Sequence, residues 1–318
     1  MGTRREGGEG HRRNPVTKAF EVAVTRAVRY GSARVGYTAA PRSRDLLLDA
    51  YLPVGASGSL PALVMAFGGA FHRGTREHDR VDAEGQKNTT IAEYCARFAA
   101  RGYAAFSIDY RLIPEDPDPG DTPIISSERS TPRARVDVVR KILGLPPITM
   151  EQLRWGSEAA YDDMETALAF VRANAGRFGI DPGRVAVGGF SAGARMALMV
   201  AFGAGVPVRG VVSLSGFIGP DDLARYVTGA PGQPPVLLFT GERDIDHIAA
   251  GARGIADYFA SKGLLAGAHV VAGADHFYPG NSSIACADGR ASTVEGEMAE
   301  FFGEVLRQDA TRSAAYLP

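Results

Sequence analysis

Between about residues 20 and 306, short apolar runs of strand character alternate with stretches whose apolar residues recur at helical spacing. A strand, a crossover helix and a further parallel strand bury both faces of a sheet. The alternation therefore predicts an α/β fold, with a mainly parallel sheet of about eight strands and helices on both faces. Val22 to Tyr30 and Asp45 to Leu52 read as an initial antiparallel pair, followed by the buried strand Ala62 to Phe67. A helix opens at Thr90, where Thr90 and Glu93 form a capping box and Ile91, Tyr94, Cys95 and Phe98 make its apolar stripe. Tyr103 to Asp109 is the next strand. A helix marked by Tyr161, Met164, Leu168 and Val171 is expected to start after Ser157 and end near Gly176. Further strands are expected at 208–214, 236–240 and 268–271, with a helix at about 248–262. The closing helix carries Val294, Met298, Phe301, Phe302, Val305 and Leu306 on one face.

Residues 112–157 break this rhythm and hold seven of the 19 prolines. So long a structureless connection is unusual inside a compact domain, which makes the stretch an insertion with structure of its own. Val136, Val139, Ile142 and Leu143 suggest a short amphipathic helix there, ended by Pro146 and Pro147. The insertion leaves the C-terminal end of a central strand, the edge where α/β proteins hold ligands, so it reads as a lid. Residues 1–18 read as a disordered tail and 19–318 as one domain.

A net charge of -1 gives no electrostatic reason to expect nucleic acid or an anionic membrane as partner, and a small-molecule substrate fits better. Two cysteines form neither a disulfide framework nor a C-x-x-C metal or redox spacing. No apolar h-region follows Arg4 and Arg5, and no apolar run approaches the length of a membrane span, so a cytoplasmic location is expected. Oligomeric state is not legible.

One strand leads directly into chemistry. Val185 to Val187 runs into Gly189-Phe190-Ser191-Ala192-Gly193, and an apolar helical pattern follows. A serine on a sharp strand-to-helix bend has its hydroxyl exposed, and flanking glycines remove Cβ atoms that would collide there. With 39 glycines in the chain the motif is weak alone. A serine nucleophile also needs a base and a group that orients the base. The turn after residues 236–240 reads Gly241-Glu242-Arg243-Asp244, and the turn after 268–271 reads Gly273-Ala274-Asp275-His276. The chain order Ser191, Asp244, His276 is serine, acid, histidine, with Asp246 and His247 as alternatives for the last two roles. Gly68-Gly69-Ala70-Phe71, after the strand 62–67, is a small-residue turn suited to an oxyanion hole: the N–H groups of Gly69, Ala70 and Ala192 are the expected donors.

With these residues in view, the chain resembles the α/β-hydrolase carboxylesterases of the hormone-sensitive-lipase-like group over roughly residues 45–306. The resemblance rests on F-G-G-A-F at 67–71 in place of that group's H-G-G-G, D-Y-R-L-I-P-E at 109–115, F-G-I-D-P at 178–182 and the elbow G-F-S-A-G. It implies a serine hydrolase that cleaves carboxylic esters through an acyl-enzyme intermediate and uses no metal or organic cofactor. Amidase, formamidase, peptidase or acyltransferase activity would use the same residues. Phe71, Trp155, Phe217 and Tyr278 are candidates for a substrate pocket, with plain packing as the alternative. Arg76, Arg80 and Arg195 either bind an acidic group or are simply solvated. Acyl chain, leaving alcohol and enantiopreference depend on pocket shape and are not readable.

Overall fold

The computed structural model describes residues 19–80, 87–121, 124–286 and 289–307. Eight strands form one sheet: β1 Val22–Val35, β2 Arg42–Pro53, β3 Leu60–Ala66, β4 Ala104–Ile108, β5 Ile180–Phe190, β6 Val211–Leu214, β7 Val236–Gly241 and β8 Leu265–Val271. Their order is β1-β2-β4-β3-β5-β6-β7-β8. β1 with β2 and β2 with β4 are antiparallel, and every pair from β4 to β8 is parallel. The mainly parallel sheet of eight strands agrees with the alternation of elements, and the arrangement is the α/β-hydrolase fold that the resemblance implies.

The helices are α1 Ile91–Ala99, α2 Arg133–Ile142, α3 Met150–Ala173, α4 Ala175–Phe178, α5 Ala192–Leu198, α6 Pro220–Tyr226, α7 Asp246–Ser261 and α8 Val294–Val305, with a small hairpin β9 Ser283–Ala285 and β10 Ala291–Thr293. β3 is almost wholly apolar and β4 is buried along its whole length, because both of their faces are covered; the one polar side chain of β4, Ser107, donates to the Arg76 carbonyl. The capping box of Thr90 and Glu93 is present at the start of α1, and Ile91, Tyr94, Cys95 and Phe98 are buried beneath it. In α8, Val294, Met298, Phe301 and Phe302 are buried. No described helix is long and apolar enough to cross a membrane.

Strand ends shift by a few residues, β1 running on to Val35 and β8 starting at Leu265, and the start of one helix shifts by about two turns. α3 starts at Met150 rather than after Ser157, and its N-terminus is a second capping box made by Thr149 and Gln152. Gly156-Ser157 looks like a break in sequence, yet both residues fit a helix interior here. A Cβ on Gly156 would lie 2.5 Å from Ile113 Cγ1, so the glycine permits close packing, and the Ser157 hydroxyl donates to the Leu153 carbonyl at 2.8 Å. α6 has no counterpart among the expected elements.

Between β4 and α3 the chain forms a 3-10 turn at Ile113–Glu115, another at Glu128–Ser130, and α2. These pieces are tied to the body. The Ile125 N–H donates to Glu158 at 3.0 Å, the Ser126 N–H to Asp222 at 2.7 Å, and Arg195 Nη2 to the Ser130 carbonyl at 2.6 Å. Of the expected stripe on α2, Val136 and Val139 are buried, whereas Ile142 and Leu143 are exposed. The expected tail, 1–18, lies outside the described residues.

Candidate active site

Because β3 and β5 to β8 are parallel, the turns after their C-terminal ends share one edge of the sheet. Those turns carry Gly68 to Phe71, Ser191, Ser215, Asp244 and His276. Ser191 has φ 53 and ψ -111, a left-handed conformation unfavourable for any residue but glycine. Its N–H donates to the Leu214 carbonyl at 2.8 Å, which holds the bend against β6. At Gly193 an added Cβ would sit 2.1 Å from the Ala66 carbonyl oxygen. The elbow therefore packs directly on the end of β3, and glycine is required there.

Ser191 Oγ lies 2.9 Å from His276 Nε2, and His276 Nδ1 lies 2.6 Å from Asp244 Oδ1. An ionised carboxylate only accepts, so Nδ1 carries the proton and Nε2 is left to accept from the serine. Asp244 is buried and takes three further donors: the Ser215 hydroxyl at 2.5 Å, the Gly241 N–H at 2.9 Å and the Ile245 N–H at 2.8 Å. Burial works to raise its carboxyl, but the hydrogen bond and charge of His276, with Ser215 and the Gly241 amide, hold it below the ordinary carboxylate value. Neither alternative enters this hydrogen-bonded chain, although His247 lines the smaller cavity beside Ser191. Asp246 is exposed at the first turn of α7, and His247 packs edge-on against Phe217, where burial first, then the charges of Arg195 and His276, lower it to about 4.

The turn at Gly69 to Phe71 faces the serine from β3. Ala70 (φ 55) and Phe71 (φ 60) both adopt the left-handed region that favours glycine. Surrounding contacts hold the strained turn. The Tyr110 hydroxyl donates to the Phe67 carbonyl at 2.9 Å, Phe67 stacks on Tyr110 with ring centroids 4.3 Å apart, and the Ile113 N–H donates to the Phe71 carbonyl at 2.8 Å. Phe67, where the resemblance leads one to expect histidine, is thus fixed by stacking. His72 Nδ1 lies 2.6 Å from the Ala70 carbonyl and its Nε2 accepts from Arg140 Nη1 at 3.0 Å, which joins the turn to α2. Among the described residues, no protein acceptor takes the N–H of Gly69, Ala70 or Ala192.

Two cavities meet at Ser191. One of about 340 Å³ runs past Gly69, Ala70, Arg73, Arg135 and His276. The other, about 50 Å³, is more apolar and reaches Phe71, Val136, Leu153, Phe217 and Ile248. Phe71 and Phe217 therefore sit at a cavity wall. Trp155 and Tyr278 line neither. Trp155 packs edge-on against Tyr37, and Tyr278 is buried behind the acid with its hydroxyl 3.0 Å from Ser215 Oγ. Since the Ser215 proton is committed to Asp244, Tyr278 is the donor of that pair. Sequence reasoning missed Ser215, Tyr110 and His72, because each acts through a residue distant in sequence. The three arginines are not simply solvated. Arg76 bridges Asp49 and Asp109 at 2.8 Å each, Arg80 pairs with Glu93, and buried Arg195 donates from Nε to the Tyr161 hydroxyl at 2.8 Å. Among the described residues, no group of three or more His, Cys, Asp or Glu side chains is arranged to hold a metal ion.

Comparison with known proteins adds to this geometry. The BD-FAE model, which describes an α/β-hydrolase-type esterase family, matches residues 48–122 and 154–207. No curated protein matches the chain. Among solved structures, esterase 2 of the planctomycete Thermogutta terrifontis in its native form is 18% identical, with a TM-score of 0.55 over 92% of this chain and 95% of that one. The same esterase phosphorylated by paraoxon gives 18% identity and a TM-score of 0.53 over 83% and 86%. Its propionate-bound form gives 18% and 0.51 over 82% and 86%. The chain thus has the α/β-hydrolase fold, shared with that esterase, and is similar to the esterase family over two segments.

Proposed function

We propose that Ser191 is the nucleophile, His276 the general base and acid, and Asp244 the group that orients and charges the imidazole. The observation that carries this reading is the hydrogen-bonded chain from Asp244 through His276 to Ser191 at the junction of two cavities. Ser191 Oγ attacks the ester carbonyl while its proton passes to His276 Nε2, and the imidazolium is stabilised by Asp244. The carbonyl oxygen becomes an oxyanion that accepts from the N–H groups of Gly69, Ala70 and Ala192, each such donor being worth about 2.7 to 4 kcal/mol in the transition state. The intermediate collapses, His276 hands its proton to the departing alkoxide, and the acyl group stays on Ser191. Water, losing a proton to the same histidine, then releases the acid. The inserted segment 112–157 acts as the lid whose residues wall the cleft.

The Thermogutta esterase of like fold is described in propionate-bound and butyrate-bound forms and as phosphorylated by paraoxon. That likeness supports short acyl esters as first substrates and paraoxon as a probe. Ser191→Ala is expected to lower the turnover of p-nitrophenyl acetate by at least about 10⁴-fold. Paraoxon should inactivate the wild type with one phosphoryl adduct, which peptide mass spectrometry would locate on Ser191. Full activity in the alanine variant, or an adduct on another residue, would remove the mechanism.

A further inference from the structure

The larger cavity beside Ser191 has an uncommon charge arrangement. Arg73, from the turn after β3, and Arg135, from α2, both line it and both are half-buried. Other arginines near the site have fixed partners: Arg76 pairs with Asp49 and Asp109, Arg80 with Glu93 and Arg111 with Asp163, while Arg195 donates to Tyr161 and the Ser130 carbonyl and Arg140 to His72 and the Pro146 carbonyl. Among the described residues, Arg73 and Arg135 have no ion pair and their guanidinium groups make no hydrogen bond. Burial, and then the like charge of Arg73, lowers the pKa of Arg135; the opposing charge of Asp244 is already engaged by His276. The cavity does contain one other acid, Asp79, but burial pushes its carboxyl up to about 7 and its Oδ1 accepts the Ile91 N–H. Two guanidinium groups that line one partly dry cleft, with no counterion among the described residues, repel one another. An arrangement of this kind is relieved when a ligand supplies the negative charge, and guanidinium forks suit the two oxygens of a carboxylate.

We propose that this hydrolase acts on esters that carry a carboxylate of their own, seated between Arg73 and Arg135 while the ester carbonyl meets Ser191. The proposal rests on the assignment of Ser191 as nucleophile and adds the substrate class. Half of the recognition comes from α2 of the inserted segment and half from the oxyanion turn. Monoesters of short dicarboxylic acids and acyl esters of hydroxybenzoates are the two ways such a charge can be presented, on the acyl side or on the alcohol side.

The test compares kcat/KM within two matched pairs. 4-Nitrophenyl hydrogen glutarate is set against its methyl ester, and 4-acetoxybenzoate against methyl 4-acetoxybenzoate. In one pair the anionic ester is expected to be favoured tenfold or more, a preference that fades with added salt. Arg73→Gln and Arg135→Gln should each lower that preference about 10- to 100-fold, the range of a lost charge-assisted hydrogen bond, with Arg135→Lys restoring part of it. A preference of one or less in both pairs, or one that neither variant moves, overturns the proposal. Calorimetric binding of the favoured ester to the Ser191→Ala protein separates the two assignments. Binding that depends on Arg135, with no hydrolysis by the wild type, would remove the nucleophile and leave the anion site. Hydrolysis lost in Ser191→Ala but indifferent to the substrate's charge would do the reverse.

Discussion

Ser215 shows how much of this site depends on a residue that acts through the acid. Its hydroxyl is one of four donors on Asp244, so Ser215→Ala leaves a buried carboxylate oxygen one donor short. The loss of one hydrogen bond to a charged group is worth about 1.5 to 3 kcal/mol. Turnover of p-nitrophenyl acetate is expected to fall at least about tenfold, with Ser215→Thr recovering most of it; steady-state kinetics at equal protein stability decide the matter. Asp79 provides a second residue-scale outcome. Its folded pKa is raised from 3.8 to about 7, chiefly by burial, so the folded state holds this proton more tightly than the unfolded chain does. That contribution is complete below the unfolded value, declines as pH rises and is gone above about 7. The stability of the wild type minus that of Asp79→Asn should therefore drop across this window in urea titrations at stepped pH. A flat difference would mean that the carboxyl is not held neutral. Neither residue was legible in sequence, because a positioning hydroxyl and a buried acid look like any other serine and aspartate until their neighbours are known.

Among the elements, the elbow and α3 respond to substitution for different reasons. Gly193→Ala drives a Cβ to 2.1 Å from a main-chain oxygen of β3, which cannot yield as a flexible side chain could. A loss of at least about 2 kcal/mol in stability is expected, together with loss of activity. Chemical denaturation of an alanine variant as stable as the wild type would contradict this packing of elbow on strand. Thr149→Ala is milder. It removes the cap of α3 and should cost about 1 kcal/mol, read as a lowered denaturation midpoint at an unchanged slope. The elements themselves were largely legible: short apolar runs marked the strands, and stripes of period 3.6 marked α1, the body of α3 and α8. The start of α3 was not, since Gly156 and Ser157 resemble a helix stop until Ile113 is seen packed against the glycine.

For the molecule as a whole, the inserted segment is expected to unfold with the body and not before it. Hydrogen bonds from Ile125 and Ser126 to Glu158 and Asp222, and from Arg195 to Ser130, tie it to α3, α6 and α5. The single tryptophan, Trp155, stands near the start of α3 and reports locally, while far-UV circular dichroism reports on every helix. One shared midpoint is the expected result, and an earlier fluorescence transition would show the segment to be a separate unit. At this scale the sequence alone determined the class of fold, the order of its elements and the identity of Ser191, Asp244 and His276 as candidates. Local periodicity and turn chemistry are written in short stretches of chain. What only the tertiary structure decided is which side chains share a space: Ser215 behind Asp244, His72 between the oxyanion turn and Arg140, and Arg73 facing a cavity wall built from α2. Those meetings join residues tens of positions apart, and they exist only once the sheet has brought the ends of its strands to one edge.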